Sequence, residues 1–517
     1  TQKQVDVNQT ITLNHKDAEI RENIESLEKT LFERKTNTLE YTHQVKDILD
    51  FNRQRLLHYQ PSYEGPVVIK GDLNQDRIDD LIIGGGKGQE IKVWIQQLDG
   101  KFKQKVSSDF IKNKEGVIRG LELFDIDLDG DLDLFASYGG YHNFNENSEE
   151  LSDAVYINSG NGEFKKTKKV FAKQGSGVAK STDLNQDGSP DIFVAGSVIP
   201  GSYPYHFPNK LLLNDGSGNL IIDQDNSETV NEIMGIVKDA LWIDLNFDGL
   251  EDLILVGEWM PVTVFLNQKG KLKKQSNYFS TKKTQNGWWN TIEVGDFNND
   301  GHVDLIIGNE GTNNAFNSSL NHPVQIHFDD FDQNGSVDPI LSYYIKGKSY
   351  PLATRDEILG QWVALKSTYP SYESYAKTDL ESLLKDHITE NTKIWKATEM
   401  RSMLLMSQKD GYKIQYLPDE VQRSPLKSIV ISDLNSDGNQ DLILAGNRTE
   451  NALKIGRNEA NYGTILLGDG KGDFKTLPTF ESGLIFKGSV SSMLEINNTL
   501  YIGRCNEELM IFSRNEN

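Results

Sequence analysis

Asp125-Ile126-Asp127-Leu128-Asp129-Gly130-Asp131-Leu132-Asp133 puts a carboxylate at positions 1, 3, 5 and 9 of a nine-residue stretch, with glycine at position 6. The pattern occurs six more times. It is carried by Asp72, Asn74, Asp76 and Asp80; by Asp183, Asn185, Asp187 and Asp191; and by Asp244, Asn246, Asp248 and Asp252. It returns at Asp296, Asn298, Asp300 and Asp304, at Asp330, Asp332, Asn334 and Asp338, and at Asp433, Asn435, Asp437 and Asp441. Oxygen donors at this spacing, folded over a glycine that accepts positive φ, suit a hard cation seeking six to eight oxygens at about 2.3–2.6 Å. The expected occupant is Ca2+, up to seven ions. An EF-hand would need a glutamate at position 12 and flanking helices. Here each loop runs instead into a short apolar stretch of strand type, such as Leu81-Ile82-Ile83 or Leu253-Ile254-Leu255-Val256.

Most units continue with a second apolar strand and a glycine-containing hairpin, as from Val93-Trp94-Ile95 to Gly100 and from Ile465-Leu466-Leu467 to Gly472. Each unit therefore holds four strands. Motif starts lie 53, 58, 61, 52, 34 and 103 residues apart. The first four intervals match the blade length of a β-propeller. The 34-residue interval leaves the fifth unit without its hairpin, and the 103-residue interval must contain an insertion. The tail, Val490–Leu494, Leu500–Ile502 and Leu509–Phe512, offers three more strands, completed by an N-terminal strand such as Gln9–Leu13. The expectation is an all-β propeller of seven or eight four-stranded blades.

These repeats resemble the FG-GAP/VCBS-repeat propellers, the architecture of integrin α-subunit heads, over about residues 61–517. Gly257-Glu258-Trp259-Met260-Pro261, Asn286-Gly287-Trp288-Trp289-Asn290, Val198–Pro204 and Tyr350–Asp356 look most like the cartilage-acidic-protein-like branch of bacterial cell-surface proteins. That resemblance implies an accessory role beside outer-membrane receptors and surface lipoproteins. Propeller folds carry binding modules and enzymes alike, so function has to come from sites.

Residues 1–60 fall outside the repeat, and Ile20, Ile24, Leu27 and Leu31 have the spacing of an amphipathic helix packed outside the ring. The stretch 356–394 also reads as helical, with Ile358, Trp362 and Leu365 before Tyr369, Tyr372 and Tyr375, and is expected to cap a face or dock a partner. In a four-stranded blade the ion loops share one face, and residues after the second strand gather on the other. That assignment collects Tyr141, His142, Tyr203, Glu258, Trp259, Trp288, Trp289, Asn290, Arg448 and Arg504 as candidate ligand-binding residues, since aromatic faces beside oriented polar groups suit a glycan or a protein partner. The alternative is that the tryptophans wedge between blades. The nine histidines show no HExxH spacing, Gly84–Gly88 lacks the end of a phosphate loop, and no Gly-x-Ser-x-Gly elbow occurs. A non-catalytic protein- or glycan-binding module is expected. The alternatives are a polysaccharide lyase using Tyr141, His142 or His206, and a purely structural or adhesive protein.

Net charge sharpens the picture. The 517 residues hold 76 acidic and 54 basic side chains, a balance of −22 that opposes nucleic-acid binding. Twenty-two carboxylates sit at positions 1, 3, 5 and 9 of the seven motifs, and seven doubly charged ions would bring the balance to −8. No stretch approaches the ~20 apolar residues of a membrane-spanning helix, and Cys505 alone permits neither an internal disulfide nor a thiolate metal site. Loops of this type work at calcium levels of about 10⁻⁴–10⁻³ M. An extracytoplasmic location follows, at the outer-membrane surface or in the periplasm. Thr1 in place of Met suggests a removed leader or a lipid-anchor-bearing segment upstream.

Overall fold

The computed structural model describes residues 29–46, 48–141, 144–167, 174–276, 278–279, 285–408 and 411–515. Among these residues the strands form eight antiparallel sheets. Each apolar run after an ion loop becomes a buried second strand: Asp80–Gly84, Asp133–Gly139, Asp191–Gly196, Asp252–Met260, Asp304–Gly308 and Asp441–Gly446. Burial on both faces explains why these strands are apolar throughout rather than alternating.

Seven sheets close a ring. Their first strands, Val67–Gly71, Val117–Phe124, Ser176–Thr182, Ile236–Ile243, Thr291–Gly295, Leu426–Ser432 and Val490–Ile496, neighbour one another in turn, and the last returns to the first. Seven apolar clusters fill the seven gaps between adjacent blades. The seventh blade is completed by Phe32–Lys35, which pairs antiparallel with Met510–Arg514 and sets Phe32 opposite Arg514. First and last strands thus share one sheet, so the ring has no open edge.

Two sequence expectations change here. Leu31 does not belong to a helix among the described residues: it leads into strand Phe32–Lys35, and both Leu31 and Phe32 pack with Leu484 and Phe512. Ile20, Ile24, Leu27 and the suggested closing strand Gln9–Leu13 lie outside the described residues. Beyond Lys35, among the described residues before the first blade, the one helical element is the three-residue turn Asp50–Asn52, and this stretch runs across the ring.

The sixth motif is not part of a ring blade. Blade five takes its outer strands from Met403–Gln408 and Gly411–Tyr416, which pair with Asp304–Gly308 only after an insertion. The short interval therefore marks a split blade rather than one lacking its hairpin. The insertion carries the eighth sheet, ordered Lys393–Ala397, Val324–Asp329, Asp338–Ile345, Lys348–Pro351. The helices Arg355–Gln361, Tyr372–Ala376 and Leu380–Leu384 form the connection inside it. Phe331, Ile340, Ile358, Trp362, Leu380 and Leu383 give this insertion its own core, which also takes in Leu56.

Candidate functional site

The seven ion loops fold alike. In the third, Asp183 accepts from the backbone N–H of Asp187 at 3.0 Å and of Gly188 at 2.9 Å, while Asp187 accepts from Ser189 N–H at 2.9 Å. Position 4 adopts φ near +60° in every loop, from Asn299 at 56° to Leu128 at 61°. Position 6 is also left-handed: Gly130, Gly188, Gly249, Gly301, Gly335 and Gly438 lie between 78° and 93°, and Arg77 in the first loop is forced to 69°. The position-9 aspartates are buried and use both oxygens. Asp191 accepts from Leu184 N–H at 3.2 Å and, from the third strand, Asn214 N–H at 2.9 Å. This carboxylate ties the loop to the blade behind it.

The donors converge. Asp125, Asp127 and Asp133 each offer an oxygen within 4.8 Å of the others, as do Asp330, Asp332 and Asp338. Asp127 Oδ1 and Asp332 Oδ1 are buried without a protein hydrogen-bond partner, so each keeps lone pairs for another group. In the other five loops position 3 is Asn, whose amide donates to the position-5 carboxylate, as Asn185 does to Asp187 at 2.9 Å. Burial, and secondarily neighbouring carboxylates, pushes Asp133 up to about 7 and Asp80, Asp191, Asp252 and Asp338 to about 6. The sixth loop has a different anchor. Asp338 Oδ1 accepts from Gln361 Nε2 at 2.6 Å in place of a strand N–H, and Phe331 stacks on Trp362 at 5.7 Å. The helical insertion is thereby fastened to this loop.

The opposite pole is closed by the chain itself. Residues 41–63 cross it, and Arg53 donates to the carbonyls of Tyr141 (2.7 Å), Phe144 (2.6 Å) and Pro200 (3.0 Å). Gln54 donates to Tyr203 O at 2.8 Å and accepts from the Tyr141 hydroxyl. Tyr59 donates to the buried Glu258 carboxylate at 2.9 Å, with Tyr203 Oη at 3.3 Å and Lys238 Nζ at 3.3 Å. Lys238 also meets Glu64 at 2.9 Å, Arg119 meets Glu64 at 3.0 Å, and Arg448 meets Glu310 at 3.2 Å while its guanidinium lies 4.6 Å over the Tyr59 ring. Against the cost of burial, Lys238 and Arg119 hold Glu64 down at about 2. Burial, with Glu258 beside them, drives the Tyr59 and Tyr203 hydroxyls far above the ordinary phenol range. A cavity of about 90 Å³, lined by both charged and aliphatic side chains, remains beside Tyr59, Glu64, Arg119 and Lys238.

The residues collected from the sequence do meet at this pole, but as interior groups. Tyr141, Tyr203, Glu258, Trp259 and Trp288 are at most 2% exposed and pack under Leu57, His58 and Tyr59. Trp259 Nε1 donates to Tyr203 Oη at 2.8 Å. Trp289 is a wedge between blades four and five, bonded to Met260 O at 2.9 Å. Asn290 accepts from Arg448 at 3.4 Å. Arg504 lies apart, held by Lys487 O and Glu508 O at 3.0 Å and by Glu507. His142 lies outside the described residues, and His206 Nδ1 meets Phe207 O at 2.8 Å. No sequence motif marks Arg53, Gln54, Tyr59, Glu64, Arg119 or Lys238. Their signal was weak: Arg53, Gln54, Tyr59 and Glu64 lie in a segment of no clear period, and Arg119 and Lys238 are single charges within first strands.

Comparison with known proteins identifies a repeat. The FG-GAP-like repeat matches residues 72–136 and 244–307. No curated protein sequence matches the chain. Among solved structures, an Agrocybe aegerita lectin that recognises non-reducing terminal N-acetylglucosamine is 14% identical over 82% of this chain and 84% of its own, with a TM-score of 0.39. The V. cholerae biofilm matrix protein Bap1 is 10% identical over 94% and 92%, with a TM-score of 0.38. YCF48 bound to D1 peptide is 8% identical over 89% and 98%, with a TM-score of 0.39. Two regions of the chain thus carry FG-GAP-like repeats, and among the described residues seven sheets close into a β-propeller ring.

Proposed function

We propose that the chain is a calcium-rigidified, non-catalytic module that binds a protein or glycan outside the cytoplasm, as an accessory surface component of an outer-membrane receptor or transport assembly. The observation that carries it is the pair of acidic clusters Asp125, Asp127 and Asp133 and Asp330, Asp332 and Asp338, each converging within 4.8 Å and each holding one buried aspartate oxygen without a protein partner, on a loop pattern that occurs seven times. All-oxygen donor sets of this kind fit Ca2+, with positions 1, 3, 5 and 9 as ligands. A bound ion would neutralise carboxylates that otherwise repel one another and would cross-link both ends of each loop to its blade. The required affinity range suits calcium outside the cytosol, which supports the location. Among the described residues no helix is long and apolar enough to cross a membrane.

Two measurements test the proposal. Excess EGTA should lower the melting temperature substantially, and Ca2+ but not Mg2+ should restore it; an unchanged melt refutes the metal assignment. Affinity purification from the native envelope should recover a stoichiometric receptor or lipoprotein partner. A solitary monomer refutes the accessory role.

A further inference from the structure

We propose that the last hairpin of the inserted sheet, Asp338–Ile345 with Lys348–Pro351, forms a binding cleft for a uronate-bearing oligosaccharide; this rests on the binding-module function above and names its ligand. The cleft, about 380 Å³, is lined by Tyr343, Ile345, Lys346, Tyr350, Tyr375 and Thr378 among others. That size falls within the range of small-molecule sites, about 300–1,000 Å³.

The walls are prearranged. Tyr343 and Tyr350 stand directly opposite in the antiparallel pair, so both rings lie on one face of the hairpin. Phe316 supports Tyr343 edge-on at 5.8 Å. Tyr375 is fixed from the neighbouring helix by donating to Ala353 O at 2.8 Å and by packing on Tyr369 at 5.6 Å. Half-buried phenol rings of this kind offer flat apolar area with a polar edge, which matches the C–H face and hydroxyl rim of a sugar ring.

Charge selects among sugars. Lys346 and Gly347 have φ of 49° and 81°, a two-residue turn that sets Lys346 at the rim as the charged member of the lining. A cation at the mouth of an aromatic cleft gives a carboxylated sugar an ion-pair partner in the place where its ring would stack. A peptide adding as a strand is disfavoured, because helix Leu380–Leu384 packs against the outer strand Lys348–Pro351.

Isothermal titration of the calcium-loaded chain with hyaluronan tetrasaccharide, trigalacturonate and neutral chitotetraose tests this. Both acidic probes should bind, and hyaluronan about three-fold more tightly than chitotetraose. Lys346→Gln should erase that preference, and Tyr350→Ala should weaken every sugar at least about ten-fold with an unchanged melting temperature. Failure of both acidic probes to bind overturns the proposal. Binding that survives Tyr350→Ala overturns the cleft assignment while leaving the binding-module function standing, and recovery of a protein partner by a chain that binds no sugar separates the two in the other direction.

Discussion

Tyr59→Phe removes one oxygen from the middle of the strap that closes the pole. In the wild type that hydroxyl lies 2.9 and 3.2 Å from the two oxygens of Glu258, a carboxylate 1% exposed. A hydrogen bond to a charged group contributes about 1.5–3 kcal/mol. Glu258 keeps Tyr203 Oη and Lys238 Nζ, both at 3.3 Å, so the lower part of the range applies, about 2 kcal/mol. Local opening of the strap should then be about thirty-fold more frequent, at about 1.4 kcal/mol per decade. Hydrogen exchange followed by mass spectrometry reads this directly as lost protection in peptides covering residues 48–63, with protection of the blade strands unchanged. Tyr41→Phe is the contrasting case. Its hydroxyl is buried without a hydrogen-bond partner, so its removal should be neutral or stabilising. Equal loss of protection in both variants, or in neither, would refute the assignment of Tyr59 and Glu258 as the lock of the strap.

Two further outcomes follow from the ion loops. Burial raises Asp80, Asp133, Asp191, Asp252 and Asp338 to about 6–7 in the folded, metal-free chain, against about 3.9 unfolded. Between these values the folded state binds more protons, so in EGTA the melting temperature should rise as pH falls from 7.5 to 5.5. In saturating Ca2+ the same acidification should lower it, because protons compete for the ligands; parallel trends in the two buffers would contradict the placement of these carboxylates at the ion. Arg77→Gly relieves a left-handed non-glycine residue and should stabilise the first loop by up to about 1 kcal/mol. A lower melting temperature in calcium would show that the arginine side chain supports the loop instead.

What the amino-acid sequence determined by itself is local. Nine consecutive residues suffice to specify the fold of each acidic loop, because its hydrogen bonds run between neighbours such as Asp183, Asp187 and Gly188. The apolar run that follows each loop marks the second strand for the same reason, and both could be read one unit at a time. Only the tertiary structure decided how the units join. Nothing near Asp330 distinguishes a ring blade from an inserted sheet; the choice is made by pairing Leu305 with Leu405 across about a hundred residues. Closure depends on Phe32 meeting Arg514 from the far end of the chain. Several of the aromatic and charged residues expected at the second pole do meet there, though Arg504 lies apart, and their burial depends on residues 48–63 lying over them, held by contacts such as Gln54 to Tyr203 and Tyr59 to Glu258. A side chain's type and period report its own element, whereas its exposure is fixed by whatever distant segment packs against it. The loop conformation was therefore legible in the sequence, and the plugged pole and the tyrosine cleft were not.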